Sequence, residues 1–272
     1  MLLPRVLTAV TLLALLFAVL YSGSAVLFLA VISMFLAGAA WEGARLFRAR
    51  HPVPVAIAWT VLFIILALLP DLRAPILVFA LCVAIWALRF VPALALGLPT
   101  TDSVGNRVLQ ALYSITVLGA FLAVVALFRI SPVYLVSVMA LVWVADIGAY
   151  FAGKGLGRRK LAPSISPGKS WEGVVGGWLS VLLVGALTTA YAPLQQTFAP
   201  LVQSRLGWTG FIIVLTLMVA ASVVGDLFES MLKRRVEVKD SSALLPGHGG
   251  ILDRIDALIP ALPLAMLVSI WL

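Results

Sequence analysis

The 272-residue sequence predicts an all-α, polytopic integral membrane protein of about nine transmembrane helices. Apolar residues make up 63% of the chain and charged residues only 11%, against about 25% charged in an ordinary soluble domain. Mean hydropathy is +1.14. The apolar residues also fall into runs of about 20, the length a helix needs to cross the hydrocarbon core of a bilayer. That balance argues against a water-soluble enzyme, a nucleic-acid-binding domain and a disordered chain. A single cysteine, Cys82, excludes an intramolecular disulfide framework and a Cys-rich zinc module.

The candidate spans are about 3–20, 24–44, 53–70, 75–96, 107–128, 132–152, 172–192, 208–231 and 251–271. The first follows Arg5 and resembles a signal peptide. No small-residue cleavage site follows it and another span comes at once, so it reads as a retained helix. Tyr21-Ser22-Gly23 turns it tightly into the second span. His51-Pro52 opens the third, Pro70-Asp71 separates it from the fourth, Gly97 to Pro99 ends the fourth, and Ser131-Pro132 opens the sixth. Charged loops at 153–171 and 232–250 bracket the seventh and eighth spans, and the ninth ends the chain.

Cations orient the bundle. With the N-terminus inside, Arg5 and the even-numbered loops hold Arg45, Arg48, Arg50, Arg107, Lys154, Arg158, Arg159, Lys160, Lys169, Lys233, Arg234, Arg235 and Lys239. The odd-numbered loops hold only Arg73, Arg129 and Arg205, and Arg89 and Arg254 lie at span ends. The excess of Lys and Arg on one side predicts a cytoplasmic N-terminus, an external C-terminus and both long charged loops in the cytoplasm. The net charge of +8 is then a topology signal and implies no nucleic-acid partner.

Acids are unevenly placed. Only Glu42, Asp71 and Asp102 precede residue 140. Asp146, Glu172, Asp226, Glu229, Glu237, Asp240, Asp253 and Asp256 follow it. Residues 1–140 therefore read as transmembrane scaffold without acids deep in a span, and 141–272 as the working region. An ionisable group at mid-membrane costs about 2.5–3.5 kcal/mol and marks function. At about 100° per residue, Asp226, Glu229, Ser230 and Lys233 share one helix wall, and Leu227, Phe228 and Met231 face elsewhere. Asp253 and Asp256 share a face one turn before Pro260, which removes a helical hydrogen bond. Glu229 with Lys233 also fits a plain i,i+4 ion pair. Converging carboxylates repel one another, and a hard cation such as Mg²⁺ relieves that repulsion while also binding substrate phosphates.

The loop GKGLGRRKLAPSISPGKSWEG offers glycines for close backbone approach to an anion and lysines and arginines to neutralise it. Gly168-Lys169-Ser170 is not the end of a Walker A loop, because Pro163 stands where a glycine is required. Gly153-Lys154-Gly155 is not a dinucleotide fingerprint, because Arg158 replaces its third glycine. In the second loop, His248 and a glycine pair feed directly into the last span.

Ser230-Met-Leu-Lys233-Arg234 through Lys239-Asp240, Pro246-Gly-His248-Gly249-Gly250 and Asp253-Arg254-Ile-Asp256 resemble the signature of the phosphatidate cytidylyltransferase (CDP-diacylglycerol synthase) family. Asp146 to Gly153 and Ser166-Pro-Gly-Lys169-Ser170-Trp-Glu172-Gly173 are similar to it as well. The resemblance implies a multi-pass membrane nucleotidyltransferase that converts CTP and phosphatidic acid into CDP-diacylglycerol and pyrophosphate for phospholipid biosynthesis. It implies Mg²⁺, with a second metal ion left open, and a homodimer in the bacterial cell (inner) membrane, its active site facing the cytoplasm. The family's essential aspartates map onto Asp226, Asp253 and Asp256 as metal ligands.

With that reaction, Asp226, Asp253, Lys233 and Arg254 are expected to be catalytic. Lys169, Arg234 and Lys239 are expected to contact phosphate, Ser166 and Ser170 to donate hydrogen bonds, and Glu172, Asp240 and His248 to complete substrate binding. The lipid phosphate is already an anionic nucleophile, so positioning and charge neutralisation dominate. Another Mg²⁺-dependent lipid-phosphate transferase shares these needs. An ion-coupled transporter needs paired broken helices in both halves.

Overall fold

A computed structural model describes residues 3–69 and 74–272. Pro70, Asp71 and Arg73 lie outside the described residues, as does the Arg5 side chain. The helices are α1 Leu3–Tyr21, α2 Ala25–Leu46, α3 Pro52–Ala67, α4 Ala74–Ile85, α5 Val91–Leu96, α6 Val104–Ile130, α7 Pro132–Leu156, α8 Trp171–Thr189, α9 Phe198–Arg235, α10 Leu252–Ile255 and α11 Leu258–Ser269. A π-helical turn, Trp86–Phe90, joins α4 to α5. Each expected span is helical over most of its length. Among the described residues, six helical segments are long and apolar enough to cross a membrane. Both α3, with 16 residues, and α11, with 12, are apolar but shorter.

Turn serines start the helices. The Ser24, Ser103, Ser131 and Ser170 hydroxyls accept the Leu27, Asn106, Tyr134 and Gly173 N–H groups at 2.9–3.2 Å. Each bond satisfies one amide that the first turn leaves open. The central helix, α6, carries buried residues from Asn106 to Leu127 and packs against α2, α4, α7 and α11. Helices from both halves share one core, and α7 runs unbroken across the expected division at residue 140.

Three expectations change. The segment 153–171 is not a plain loop. Helix α7 continues to Leu156, and β1 Lys160–Ala162 pairs antiparallel with β2 Ser166–Ser170. Pro163 cannot extend a helix, and the Ile165 N–H closes the turn on the Ala162 carbonyl at 3.1 Å. The connection expected before the eighth span is helical from Phe198, and the break at Gly207, whose φ of 66° suits glycine, falls at the expected start of that span at 208. Helix α9 also runs on to Arg235, which shortens the 232–250 loop. The last expected span is two helices, α10 and α11. Pro260 withholds the N–H that the Asp256 carbonyl would accept, which matches the break there.

Polar contacts sort the connections into two ends. At one, the Arg235 guanidinium donates to the Pro99 and Leu46 carbonyls at 3.3 Å and to Asn106 Oδ1 at 2.8 Å, and Asn106 Nδ2 donates to the Phe47 carbonyl. Arg234 Nε donates there to the Ile165 carbonyl. At the other, Arg129 donates to the Ala67 and Leu69 carbonyls, and Tyr134 and Ser269 share a 2.8 Å hydrogen bond. The even-numbered connections thus gather at one end, as alternating spans require.

Candidate active site

Helices α7, α8 and α9, with β2 and the 236–257 segment, enclose a polar cavity of about 590 Å³. Small residues let its walls approach. A Cβ at Gly176 would overlap the Ala152 methyl, and one at Gly173 would meet the Ala149 carbonyl. Close helix contact through small residues is how apolar helices associate in lipid. Gly225 does the same for α9: a Cβ there would collide with the Asp256 carbonyl and stand 2.9 Å from Pro260. Gly225→Val is expected to push α9 off the Asp256–Pro260 segment, at a cost of about 1–3 kcal/mol. Thermal unfolding in detergent reads this as a lowered Tm.

The face of α9 is as expected. Phe228 is fully buried against Trp86, Phe90 and Tyr113. That anchor turns Asp226 and Lys233 into the cavity. The Asp226 carboxylate pairs with the Lys169 ammonium from β2 and accepts Ser230 Oγ at 3.3 Å. Asp146 from α7 and Asp256 line the same cavity, each near enough to feel the charge of Asp226.

Lys233 joins two acids, donating to Glu229 at 2.9 Å and to Asp253 at 2.6 Å. Glu229 is fully buried, so the expected i,i+4 pair is present as part of an interior triad. Asp253 Oδ2 accepts Ser241 N and Gly250 N at 2.8 Å and lies 3.0 Å from Ser241 Oγ, whose one proton it shares with Glu42. The turn before Asp253 closes through Leu245 N to the Gly249 carbonyl at 2.8 Å, with Gly249 at φ 81°. Arg254 braces that turn, donating to the His248 carbonyl from Nε at 3.0 Å and from Nη2 at 2.6 Å.

Asp226, Asp253, Asp256, Lys233, Arg254, Lys169, Ser170 and Asp240 line the cavity together. Ser170 is also the cap of α8. Ser166, Glu172, Arg234, Lys239 and His248 are not on its wall. Glu172 accepts the Arg158 and Arg159 N–H groups at 3.1–3.2 Å and so ties the hairpin to α8. Arg234 reaches the hairpin turn at Ile165, and Lys239 is exposed beside Asp240. His248 lines a second, apolar cavity of about 450 Å³ among Phe28, Ile32, Phe121, Met139 and Leu258. Arg254 borders both cavities.

Among the described residues, no three Asp, Glu, His or Cys side chains converge to hold a metal ion by themselves. The donors that line the cavity are carboxylate oxygens, and Mg²⁺ takes one or two of these plus substrate phosphates and water. Asp226, Asp256 and Asp253 all line the cavity and fit such a partial set; protein donors already meet both oxygens of Asp226 and of Asp253.

Sequence reasoning missed Glu42 and Ser241. Glu42 lies near the C-terminal end of α2 and is fully buried. Its place inside an apolar run was the available signal.

Fold and site together define a polytopic membrane protein with a cavity of carboxylates and ammonium groups where its charged connections meet. The chain belongs to the cytidylyltransferase family: a sequence profile described as "Cytidylyltransferase family" matches residues 3–271. It is therefore a CTP-using nucleotidyltransferase. It is similar to a phosphatidate cytidylyltransferase of Pseudomonas aeruginosa, 39% identical over 272 residues, covering 97% of this chain and 95% of that protein. One from Haemophilus influenzae is 49% identical over 167 residues, covering 58% and 56%. One from Bacillus subtilis is 38% identical over 165 residues, covering 60% and 57%. The latter two matches span little more than half the length of those relatives.

Proposed function

We propose that the protein transfers the cytidylyl group of CTP to phosphatidic acid, giving CDP-diacylglycerol and pyrophosphate. It does so as a homodimer in a bacterial cell membrane, with the polar cavity facing the cytoplasm. The observation that carries the reading is the shared Arg254, which borders both a charged cavity and an apolar one. A nucleotide and a lipid need those two environments side by side. The cation excess and the bacterial relatives support the placement.

In this reading an oxygen of the lipid phosphate bonds to the α-phosphorus of CTP. The bond from that phosphorus to the β-phosphate bridging oxygen breaks, and pyrophosphate leaves with the electron pair. The nucleophile is already anionic, so no side chain has to remove a proton. Bound Mg²⁺ would neutralise charge on the triphosphate, and Asp226, Asp253 and Asp256 are the residues that would hold it. Lys169 bridges Asp226 and an incoming phosphate. Asp253 holds Lys233 on the wall, and Arg254 sits at the seam to meet the lipid phosphate.

Purified protein given labelled CTP, phosphatidic acid and Mg²⁺ is expected to form a lipid-soluble nucleotide. No such product refutes the reading. Lys169→Ala is expected to raise KM for CTP about 10-fold to 100-fold, the loss of a charged hydrogen bond of about 1.5–3 kcal/mol. Arg48→Ala removes a cation screened over about 8 Å and is expected to leave the kinetics unchanged. Equal kinetics for the two variants refute the phosphate contact.

A further inference from the structure

We infer that Glu42, on α2, is a positioning residue for the transfer: it holds the 241–252 turn and, through Ser241, sets Asp253 and Lys233 on the cavity wall. The inference rests on the cytidylyl-transfer reading. Glu42 is fully buried, yet it makes no ion pair among the described residues. Four donors from one segment converge on it instead. Oε1 accepts Ser242 Oγ at 2.5 Å and Ile251 N at 2.9 Å. Oε2 accepts Leu252 N at 2.7 Å and Ser241 Oγ at 3.0 Å. Hydrogen bonds to a buried carboxylate are short and strong, and an unmet buried charge is costly. All four therefore fix the turn against α2.

The turn transmits that placement. Ser241 Oγ lies 3.0 Å from Glu42 Oε2 and 3.0 Å from Asp253 Oδ2. Asp253 Oδ1 accepts Lys233 Nζ at 2.6 Å. A continuous polar chain thus runs from a helix of the first half to a cation on the cavity wall. Gly250 belongs to the same device. A Cβ there would overlap Ser241 Oγ and stand 2.5 Å from Glu42 Oε1, so only glycine lets the turn close on the carboxylate. Glutamine in place of Glu42 keeps the shape but turns an NH2 group toward a donor, so one of the two halves of the grip is lost.

The test uses full-length protein in detergent, with phosphatidic acid, CTP and Mg²⁺, and rates normalised to folded protein. Glu42→Gln is expected to lower kcat about 100-fold while KM for CTP changes less than about threefold, because Lys169 and Asp226, which Glu42 does not touch, still meet the nucleotide. Ser242→Ala, which touches Glu42 and not Asp253, is expected to lower kcat about tenfold with KM unchanged. It carries the test if Glu42→Gln does not fold. Glu42→Gln combined with Ser241→Ala is expected to lose no more than about twofold beyond the larger single loss, since both act through one hydroxyl. Wild-type kcat in folded Glu42→Gln or Ser242→Ala protein overturns the inference, as do fully multiplicative losses in the double variant. An inactive wild-type protein counts against the cytidylyl-transfer reading itself. An active wild type with unaltered variants counts against Glu42 alone.

Discussion

Asp226→Asn is expected to lower turnover by about 100-fold to 1,000-fold while the bundle stays folded. The loss corresponds to about 3–4 kcal/mol of transition-state stabilisation, the scale of one preorganised electrostatic contact. Asn preserves the shape of the side chain, and Asp226 is about one-third exposed to the cavity, so the fold does not depend on its charge. The reaction does: Asp226 pairs with Lys169 and faces the same space as Asp146 and Asp256. Removing its charge leaves Lys169 without its acid and weakens the carboxylate set proposed to hold Mg²⁺. Turnover at saturating Mg²⁺, together with Tm, separates the two effects. Near-normal turnover takes Asp226 out of the chemistry.

Lys233→Met is expected to cost stability as well as activity, about 3–5 kcal/mol. Methionine matches the aliphatic stem, so packing is conserved. What is lost is the single cation between Glu229, fully buried, and Asp253, whose side chain is 5% exposed. Two carboxylates are then left in the interior with no ammonium, and removing one partner of a buried ionic cluster is far worse than replacing the whole cluster. Lys239→Met, at an exposed position, is expected to shift stability by no more than about 0.5 kcal/mol. Adding Glu229→Gln to Lys233→Met is expected to recover part of the loss. Thermal unfolding in one detergent reads all three, and equal Tm values for Lys233→Met and Lys239→Met refute the triad.

The helices were legible because apolar runs of bilayer length and the serines between them are local signals. Ser131 sits at a turn that composition marked and caps the helix expected after it; Ser24 and Ser103 cap theirs just beyond the glycine-bearing breaks at Gly23 and at Gly97 to Pro99. The polar face of α9 was legible from 3.6-residue periodicity, and Phe228 turns it to the side the pattern indicated. The β1–β2 hairpin was not, because Gly, Pro and Lys interrupt the two-residue alternation by which strands are read. The short helix before Gly207 was not legible, because Gln203, Ser204 and Arg205 break its apolar run below bilayer length.

Glu42 illustrates a different limit. Its donors lie about 200 residues further along the chain. No periodicity or spacing links them, and one acid among apolar residues looked like part of a scaffold. Asp253 was found by its motif, and its hydrogen bonds to Ser241, Gly250 and Lys233 became visible only in the fold.

The most direct measurement follows each phosphorus of CTP. Protein is incubated with phosphatidic acid, Mg²⁺ and CTP labelled at either the α- or the γ-phosphate, and the lipid and aqueous phases are then counted. Cleavage between the α- and β-phosphates predicts that α-label enters the lipid phase and γ-label stays in the aqueous phase as pyrophosphate, with neither transferred by Asp226→Asn at a comparable rate. Label from the γ-phosphate in the lipid phase, or no α-label there, would contradict cytidylyl transfer.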